Sequence, residues 1–229
     1  EWVTDVLPAM SCINDNTMNI TVRPAPPTPD VNGDFEVCAT DLGTTPSTDN
    51  ITTDTTTAPA QGPAQGTVSY QWTVSNNGTI VGTANSTSVS VRWFNSSTVP
   101  STGTITIRLT SSFGCTSQTS RTVTINPIPQ PEINGPTSVC HNSLHTYSTP
   151  GFPGHQYDWN VTGGNVIRSG QGTPNVTVEW TVTGNYTLTV SETNTYGCEV
   201  LNTIDVTVNE LPNATITASG PTTFCQGGD

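Results

Sequence analysis

The stretch Asn175-Val-Thr-Val-Glu-Trp180 decides the fold, because every second residue in it is apolar. Successive side chains of a strand point to opposite faces, so this alternation predicts a strand with one buried and one solvent-facing side. The same pattern recurs in Ser88-Val-Ser-Val-Arg-Trp93, in Ile105-Thr-Ile-Arg-Leu109 and in Ile204-Asp-Val-Thr-Val208. No helical period of comparable length occurs, so the sequence predicts an all-β protein.

Cysteines and tryptophans recur in a fixed order, which reveals an internal repeat. The two copies contain, in order, Cys38, Trp72, Trp93 and Cys115, and then Cys140, Trp159, Trp180 and Cys198. The tryptophans are 21 residues apart in both copies (93 minus 72 and 180 minus 159). An Ig-like β-sandwich has roughly 100 residues. We therefore predict complete sandwich repeats at 27–129 and 130–212.

Two further cysteines fit the same order at the ends of the chain. We call the first cysteine of each copy (Cys38 or Cys140) early and the last (Cys115 or Cys198) late. By its spacing to the neighbouring copy, Cys12 is a late cysteine and Cys225 is an early one. We therefore expect residues 1–26 to be the C-terminal end of a truncated repeat and residues 213–229 to be the start of another. Completion of the two ends by a neighbouring subunit is the alternative, but these segments lack the repeat tryptophans and have little apolar surface for a core.

Composition excludes several classes of function. The 229 residues carry a net charge of -12 with only five basic residues, all of them arginine. Such a surface cannot neutralise several phosphates, so we expect no nucleic-acid partner. No apolar run approaches the roughly 20 residues of a membrane-spanning helix, so we expect no direct membrane insertion.

Neither catalysis nor a cofactor is expected. The sequence contains no nucleophile elbow, no His-Glu-x-x-His and no phosphate-binding glycine loop. His141, His145 and His155 lie in one copy and have no equivalents in the other, which is typical of surface residues and not of metal ligands. The Asp30–Asp34 segment resembles the carboxylate spacing of a calcium loop, but Phe35 stands at the sixth position, where such a loop has glycine, which leaves calcium at this joint as the weaker alternative.

The copies resemble the PKD-like repeats of large secreted Bacteroidetes surface proteins. The resemblance covers nearly all of the chain and is carried by Gly135-Pro-Thr-Ser-Val-Cys140, Tyr157-Asp-Trp159, Gly184-Asn-Tyr-Thr-Leu-Thr-Val190 and Tyr196-Gly-Cys198. It implies tandem Ig-like β-sandwiches on the outer surface of a bacterial cell, exported by type IX secretion, as in the giant gliding adhesin of the SprB type. The first copy departs from the pattern because Ile105 stands in for Tyr186.

The cysteines predict one disulfide per repeat. Each complete copy owns one early and one late cysteine, so the pairing that closes each copy on itself is Cys38 with Cys115 and Cys140 with Cys198. An even set of cysteines in a polar β-array is typical of an oxidising compartment. Each bond is expected to stabilise its repeat by roughly 4 kcal/mol.

The aromatic residues of the repeat are predicted to form its core. A tryptophan in the third strand of an Ig-like sandwich packs between the sheets, which places Trp72 and Trp159 inside. Trp93 and Trp180 are also assigned to the core, with a sugar-stacking surface as the alternative. Tyr186 resembles the tyrosine that fastens a corner of such sandwiches.

The two copies differ most between the early cysteine and the first tryptophan. The extra residues of the first copy fall between Thr44 and Gly66, where Ile51 is the one large apolar side chain, so we predict a mobile loop. Within it, Asp54-Thr-Thr56 resembles the O-glycosylation sequence of Bacteroidetes, which makes Thr55 a candidate glycosylation site.

The sequence favours a structural role. We expect a stalk or fibre segment of a repetitive cell-surface adhesin, for gliding or surface attachment, whose partners are neighbouring repeats of the same chain, with surface glycans and secretion or attachment proteins as further candidates. A carbohydrate-binding array attached to a secreted hydrolase and a self-assembling extracellular filament are the alternatives.

Overall fold

The computed structural model describes residues 20–40, 51–55 and 66–214, together with residues 18, 216, 217, 219, 220, 223 and 226. Every regular element in these residues is a β-strand. The strands are β1 (Glu36–Cys38), β2 (Ile51–Thr55), β3 (Val68–Val74), β4 (Gly78–Val81), β5 (Ser88–Trp93), β6 (Ser101–Ser111), β7 (Thr116–Asn126), β8 (Ser138–Cys140), β9 (Ser143–Ser148), β10 (Gln156–Val161), β11 (Val166–Ser169), β12 (Asn175–Trp180), β13 (Gly184–Thr193) and β14 (Glu199–Asn209).

The strands form two sandwiches of the same architecture. The first sandwich (β1–β7) has one sheet in the order β1-β7-β6-β3 and another in the order β2-β5-β4. The second sandwich (β8–β14) has the orders β8-β14-β13-β10 and β9-β12-β11, which match the first strand for strand. Each sandwich has a hydrophobic core of its own. The fold is therefore all-β, with two Ig-like sandwiches in tandem.

In both sandwiches the first strand pairs in parallel with the last. Cys38 opposes Asn126 in the first sandwich, and Cys140 opposes Asn209 in the second. The backbone NH that follows each cysteine donates to the carbonyl of that asparagine at 2.8 Å, from Ala39 and from His141. The early cysteine therefore lies at the C-terminal end of its sandwich.

The core of each sandwich is built around two buried tryptophans. Trp72 and Trp159 are each 2% exposed, and their indole Nε1 groups donate to the carbonyls of Ser86 and Thr173. Trp93 and Trp180 are fully buried. A Cβ added at Gly103 would come within 2.3 Å of the Trp93 ring, so this strand needs glycine where the indole packs against it.

Tyr186 fastens a corner of the second sandwich, because its hydroxyl donates to the carbonyl of Thr183 at 2.9 Å. The strand register corrects the alignment that paired Tyr186 with Ile105. Trp72 opposes Ile107 and Trp159 opposes Val190, so Ile107 and Val190 are counterparts. Tyr186 lies four residues before Val190, and the residue four positions before Ile107 is Gly103. Gly103 is therefore the counterpart of Tyr186. The alignment from sequence was displaced by the insertion between Trp93 and β6.

The predicted loop from Thr44 to Gly66 contains a strand, so that prediction is wrong for Ile51–Thr55. Strand β2 pairs antiparallel with β5, and Thr55 opposes Ser88. An edge strand is held by backbone hydrogen bonds and is favoured by β-branched threonine, so it needs little apolar burial. Apart from Gly66, the rest of the segment lies outside the described residues.

Candidate functional site: the junction between the two sandwiches

A disulfide joins the two sandwiches. Cys38, at the end of β1, is bonded to Cys198, in the turn between β13 and β14, and the two residues lie 160 positions apart in the chain. Their Cα atoms are 5.6 Å apart, which is an ordinary separation for a disulfide. The bond therefore connects the C-terminal end of the first sandwich to the N-terminal end of the second.

This bond corrects the predicted pairing of Cys38 with Cys115 and of Cys140 with Cys198. Cys38 lies beside the last residue of β7, whereas Cys115 directly precedes the first, and an eleven-residue strand spans about 33 Å. Cys140 and Cys198 are separated in the same way by β14. Since bonded cysteines need Cα atoms within about 7 Å, neither sandwich can close on itself, and Cys115 and Cys140 are free thiols.

A proline-rich linker runs beside the disulfide and is held by asparagine side chains of the second sandwich. The amide of Asn194 donates to the carbonyl of Pro127 at 2.7 Å, and that of Asn202 donates to the carbonyl of Pro131 at 2.6 Å. The Asn194 side-chain oxygen also accepts from the backbone NH of Cys198 at 3.0 Å. Asn194 thus shapes the turn that presents Cys198 and fixes the linker at once.

Sequence reasoning missed Asn194 because asparagines are common throughout this chain. Its position four residues before the late cysteine was the available signal. The first copy has Ser111 there, and Ser111 Oγ accepts from the NH of Cys115 in the same way.

A buried carboxylate lies close to the junction. Glu192 is fully buried, and its Oε1 lies 2.5 Å from Nδ1 of His155 and 3.5 Å from the hydroxyl of Tyr157. Burial raises the pKa of the Tyr157 hydroxyl above its usual range, and the charge of Glu192 adds to the increase. Among the described residues, the Glu192 Oε2 atom has no hydrogen-bond partner. The cluster fixes the segment between β9 and β10 against β13.

A cleft of about 350 Å³ opens between the sandwiches next to this cluster. Its second-sandwich side includes Phe152, His155 and Tyr196, and its first-sandwich side includes Asn95. Phe152 and Tyr196 are about half exposed, and the rings of Phe152 and His155 are 5.2 Å apart. The cleft therefore has partly exposed aromatic side chains on its second-sandwich side.

The histidines considered from sequence do not converge. Nε2 of His141 contacts the carbonyl of Thr181, and Nε2 of His145 contacts the hydroxyl of Ser143. Within the described parts of the chain, no group of three or more His, Cys, Asp or Glu side chains could hold a metal ion. No helix long and apolar enough to cross a membrane occurs among those residues either.

Comparison with known protein families gives a match to part of the chain. Residues 126–206, which include most of the second sandwich, match the model of the PKD-like domain. The fold is therefore PKD-like and Ig-like. The matched residues include Cys140, Trp159, Trp180 and Cys198 of the second sandwich. No curated protein matches the chain.

Solved structures give distant likenesses to this fold. Fibronectin(III)-like modules of Clostridium thermocellum CbhA are 11% identical, with a TM-score of 0.32, over 82% of this chain and 100% of theirs. Extracellular cadherin domains 3–6 of protocadherin gamma B2 are 11% identical, with a TM-score of 0.33, over 80% of this chain and 49% of theirs. A SusE-like surface-located polysaccharide-binding protein of Bacteroides thetaiotaomicron is 10% identical, with a TM-score of 0.40, over 79% of this chain and 34% of its own.

Proposed function

We propose that this chain is a covalently braced segment of the stalk of a long, repetitive cell-surface adhesin. Its task is to hold adhesive parts of the molecule away from the cell and to transmit tension. The proposal assigns no catalytic activity and no cofactor to the chain. The observation that carries it is the disulfide between Cys38 and Cys198, which joins one sandwich to the next.

The disulfide changes how tension travels through the chain. Force applied at the two ends enters through β1, crosses from Cys38 to Cys198 and leaves through β14. The residues between the two cysteines lie inside a closed covalent loop and cannot be extended, even if a sandwich unfolds. Such a bond is a useful device in a protein that is pulled, because it limits the extension of the stalk.

The same bond supports an extracellular location. Structural disulfides persist in oxidising environments and are rare in the cytosol. We place the stalk on the outer surface of a bacterial cell, with export by type IX secretion in Bacteroidetes. This part of the proposal rests on the resemblance of the repeat motifs, and gliding or attachment is the activity it would serve.

Single-molecule stretching of the full chain between its two ends tests this function. Reduction should release the 160 positions between the cysteines, which is about 560 Å of extra extension at roughly 3.5 Å per residue. The oxidised chain should lack this extension at any force that leaves the disulfide intact. Cys140→Ser, which removes a thiol that is free in this chain, is the matched control and should behave as the parent chain does. An oxidised chain that extends as far as the reduced one would contradict the proposal.

A second candidate function, carbohydrate binding, is favoured by the cleft at the junction. Exposed aromatic side chains can stack on sugar rings, and Phe152 and Tyr196 line this cleft. The four repeat tryptophans are buried and cannot serve as such platforms. Glycan-array binding that Phe152→Ala or Tyr196→Ala abolishes would support this function. Phe113→Ala, which removes an exposed aromatic outside the lining of this cleft, is the control, and absence of binding by the parent chain would exclude the function.

A further inference from the structure

Among the cysteines that the structure describes, the two free thiols occupy the same structural positions as the two bonded cysteines. Cys140 opposes Asn209 at the end of the second sandwich, as Cys38 opposes Asn126 at the end of the first. Asn209 also donates its side-chain amide to the carbonyl of Val139, one residue before Cys140. Cys140 is exposed, at the end of the molecule where a following sandwich would begin.

Cys115 occupies the position of Cys198. The NH groups of Ser111 and Asn194 donate to the carbonyls of Cys115 and Cys198 at 2.9 and 3.0 Å. Each turn has a glycine with positive φ, 82° or 79°, directly before its cysteine. The turn that carries Cys115 is therefore shaped like the turn that forms the junction disulfide.

The linker that precedes the first sandwich already lies against Cys115. The sulfur of Cys115 is 3.6 Å from the carbonyl of Arg23, and the Arg23 guanidinium lies 4.4 Å above the ring of Phe113. Thr119 donates to the carbonyl of Pro29 at 2.8 Å, as Asn202 does to Pro131 at the observed junction. The linker before the first sandwich is therefore held by a side chain of β7, as the linker at the observed junction is held by a side chain of β14.

The sequence places Arg23 where the observed junction has Asn126. Thr-Val-Arg23-Pro in the first linker corresponds to Thr-Ile-Asn126-Pro in the second. Since Cys38 is the residue opposite Asn126, an early cysteine opposite Arg23 in a preceding sandwich would lie next to Cys115.

We propose that Cys115 and Cys140 are each half of a further junction disulfide. Cys115 bonds to the early cysteine of the sandwich before it, and Cys140 bonds to the late cysteine of the sandwich after it. The partner in each case is a PKD-like sandwich with the same two cysteines. This inference rests on the proposed function, because it requires neighbouring repeats in an array.

The chemistry is ordinary thiol–disulfide exchange. The oxidant is the disulfide form of a dithiol oxidoreductase or of a small thiol. One protein thiolate attacks this disulfide and forms a mixed disulfide, and the second protein thiolate then displaces the carrier. Two protein thiols lose two protons and two electrons, and the carrier leaves as two thiols.

Such bonds would overlap along the array. Each one runs from the early cysteine of one sandwich to the late cysteine of the next, so it encloses the linker and most of both sandwiches. The next bond begins inside the loop of the previous one. Every peptide bond in the interior of the array is then enclosed by at least one disulfide, and no single proteolytic cut there can sever the stalk. Bonds within each sandwich would leave every linker unprotected.

A fusion of two copies tests the proposal. Residues 1–209 are followed directly by residues 24–229, so that Asn209 precedes Pro24 as Asn126 precedes Pro127. Cys12→Ser and Cys225→Ser remove the terminal thiols. The first copy also carries Cys115→Ser and the second carries Cys140→Ser, so the remaining Cys140 and Cys115 face each other across the new junction.

Non-reducing peptide mapping of the monomeric fusion should find Cys140 bonded to Cys115. The control fusion has the reverse substitutions and keeps Cys115 in the first copy and Cys140 in the second, at the outer ends. Both of these thiols should react with iodoacetamide. If the facing thiols also remain reactive, or if the outer pair bonds, the inference is wrong. The bond between Cys38 and Cys198 in each copy separates the two proposals, since its absence would overturn the proposed function as well.

Discussion

Removal of the junction disulfide by Cys38→Ser should destabilise the second sandwich, although the substituted residue belongs to the first. While the first sandwich is folded, the hydrogen bond from Ala39 to Asn126 keeps Cys38 at the start of the linker. An unfolded second sandwich would therefore form a closed loop from Asn126 to Cys198, of about 72 residues, and the chain-entropy model gives about 4 kcal/mol for such a loop.

Hydrogen exchange followed by mass spectrometry measures this effect for each sandwich separately. In the Cys38→Ser variant, the slowest amides of β13 and β14 should exchange about 1,000-fold faster, because each 1.4 kcal/mol corresponds to a factor of ten. Cys140→Ser is the matched control, since Cys140 has the same backbone position without a bond in this chain. Equal acceleration in the two variants, or no acceleration in Cys38→Ser, would refute the reasoning.

Three further predictions concern the cores. Gly103→Ala should cost the first sandwich about 1–3 kcal/mol because the new methyl group meets the Trp93 ring; urea denaturation should show a smaller loss when Trp93→Phe is also present, and strictly additive losses would contradict the contact. Glu192→Leu should cost about 1–3 kcal/mol because His155 loses its acceptor, and adding His155→Leu should recover most of that loss, whereas no recovery would show that the pair does not act together. Burial raises the pKa of Tyr147 from 10.0 to about 12, so the unfolded chain releases this proton first and the second sandwich should lose about 1.4 kcal/mol per pH unit between these values; Tyr147→Phe should reduce that slope, and an unchanged slope would contradict it.

The strands could be predicted because their pattern is local. Alternating apolar residues define β5, β12, β13 and β14 directly in the sequence, and the fixed tryptophan spacing indicates two sandwiches of one kind. The same alternation could also have identified Glu192 as a buried residue, because it shares a face of β13 with Leu188 and Val190 and is equally buried. Its counterpart in the first sandwich, by register, is Leu109, so the carboxylate departs from the repeat at a core position.

The disulfide could not be predicted from the order of the cysteines alone. One early and one late cysteine per copy suggests closure within the copy, but the direction of the strands decides the outcome. Because β1 runs parallel to β7, Cys38 lies at the far end of β7 from Cys115, which directly precedes that strand. Strand β2 escaped prediction for a different reason, since backbone pairing at a sheet edge leaves no apolar signature.

Non-reducing peptide mapping of the purified chain tests the central claim most directly. Proteolysis under conditions that prevent thiol exchange, followed by mass spectrometry, should yield one peptide pair that joins Cys38 to Cys198, with Cys115 and Cys140 alkylated as free thiols. Recovery of Cys38 bonded to Cys115 and of Cys140 bonded to Cys198 would contradict the account, because each sandwich would then be closed on itself and the junction would have no covalent brace.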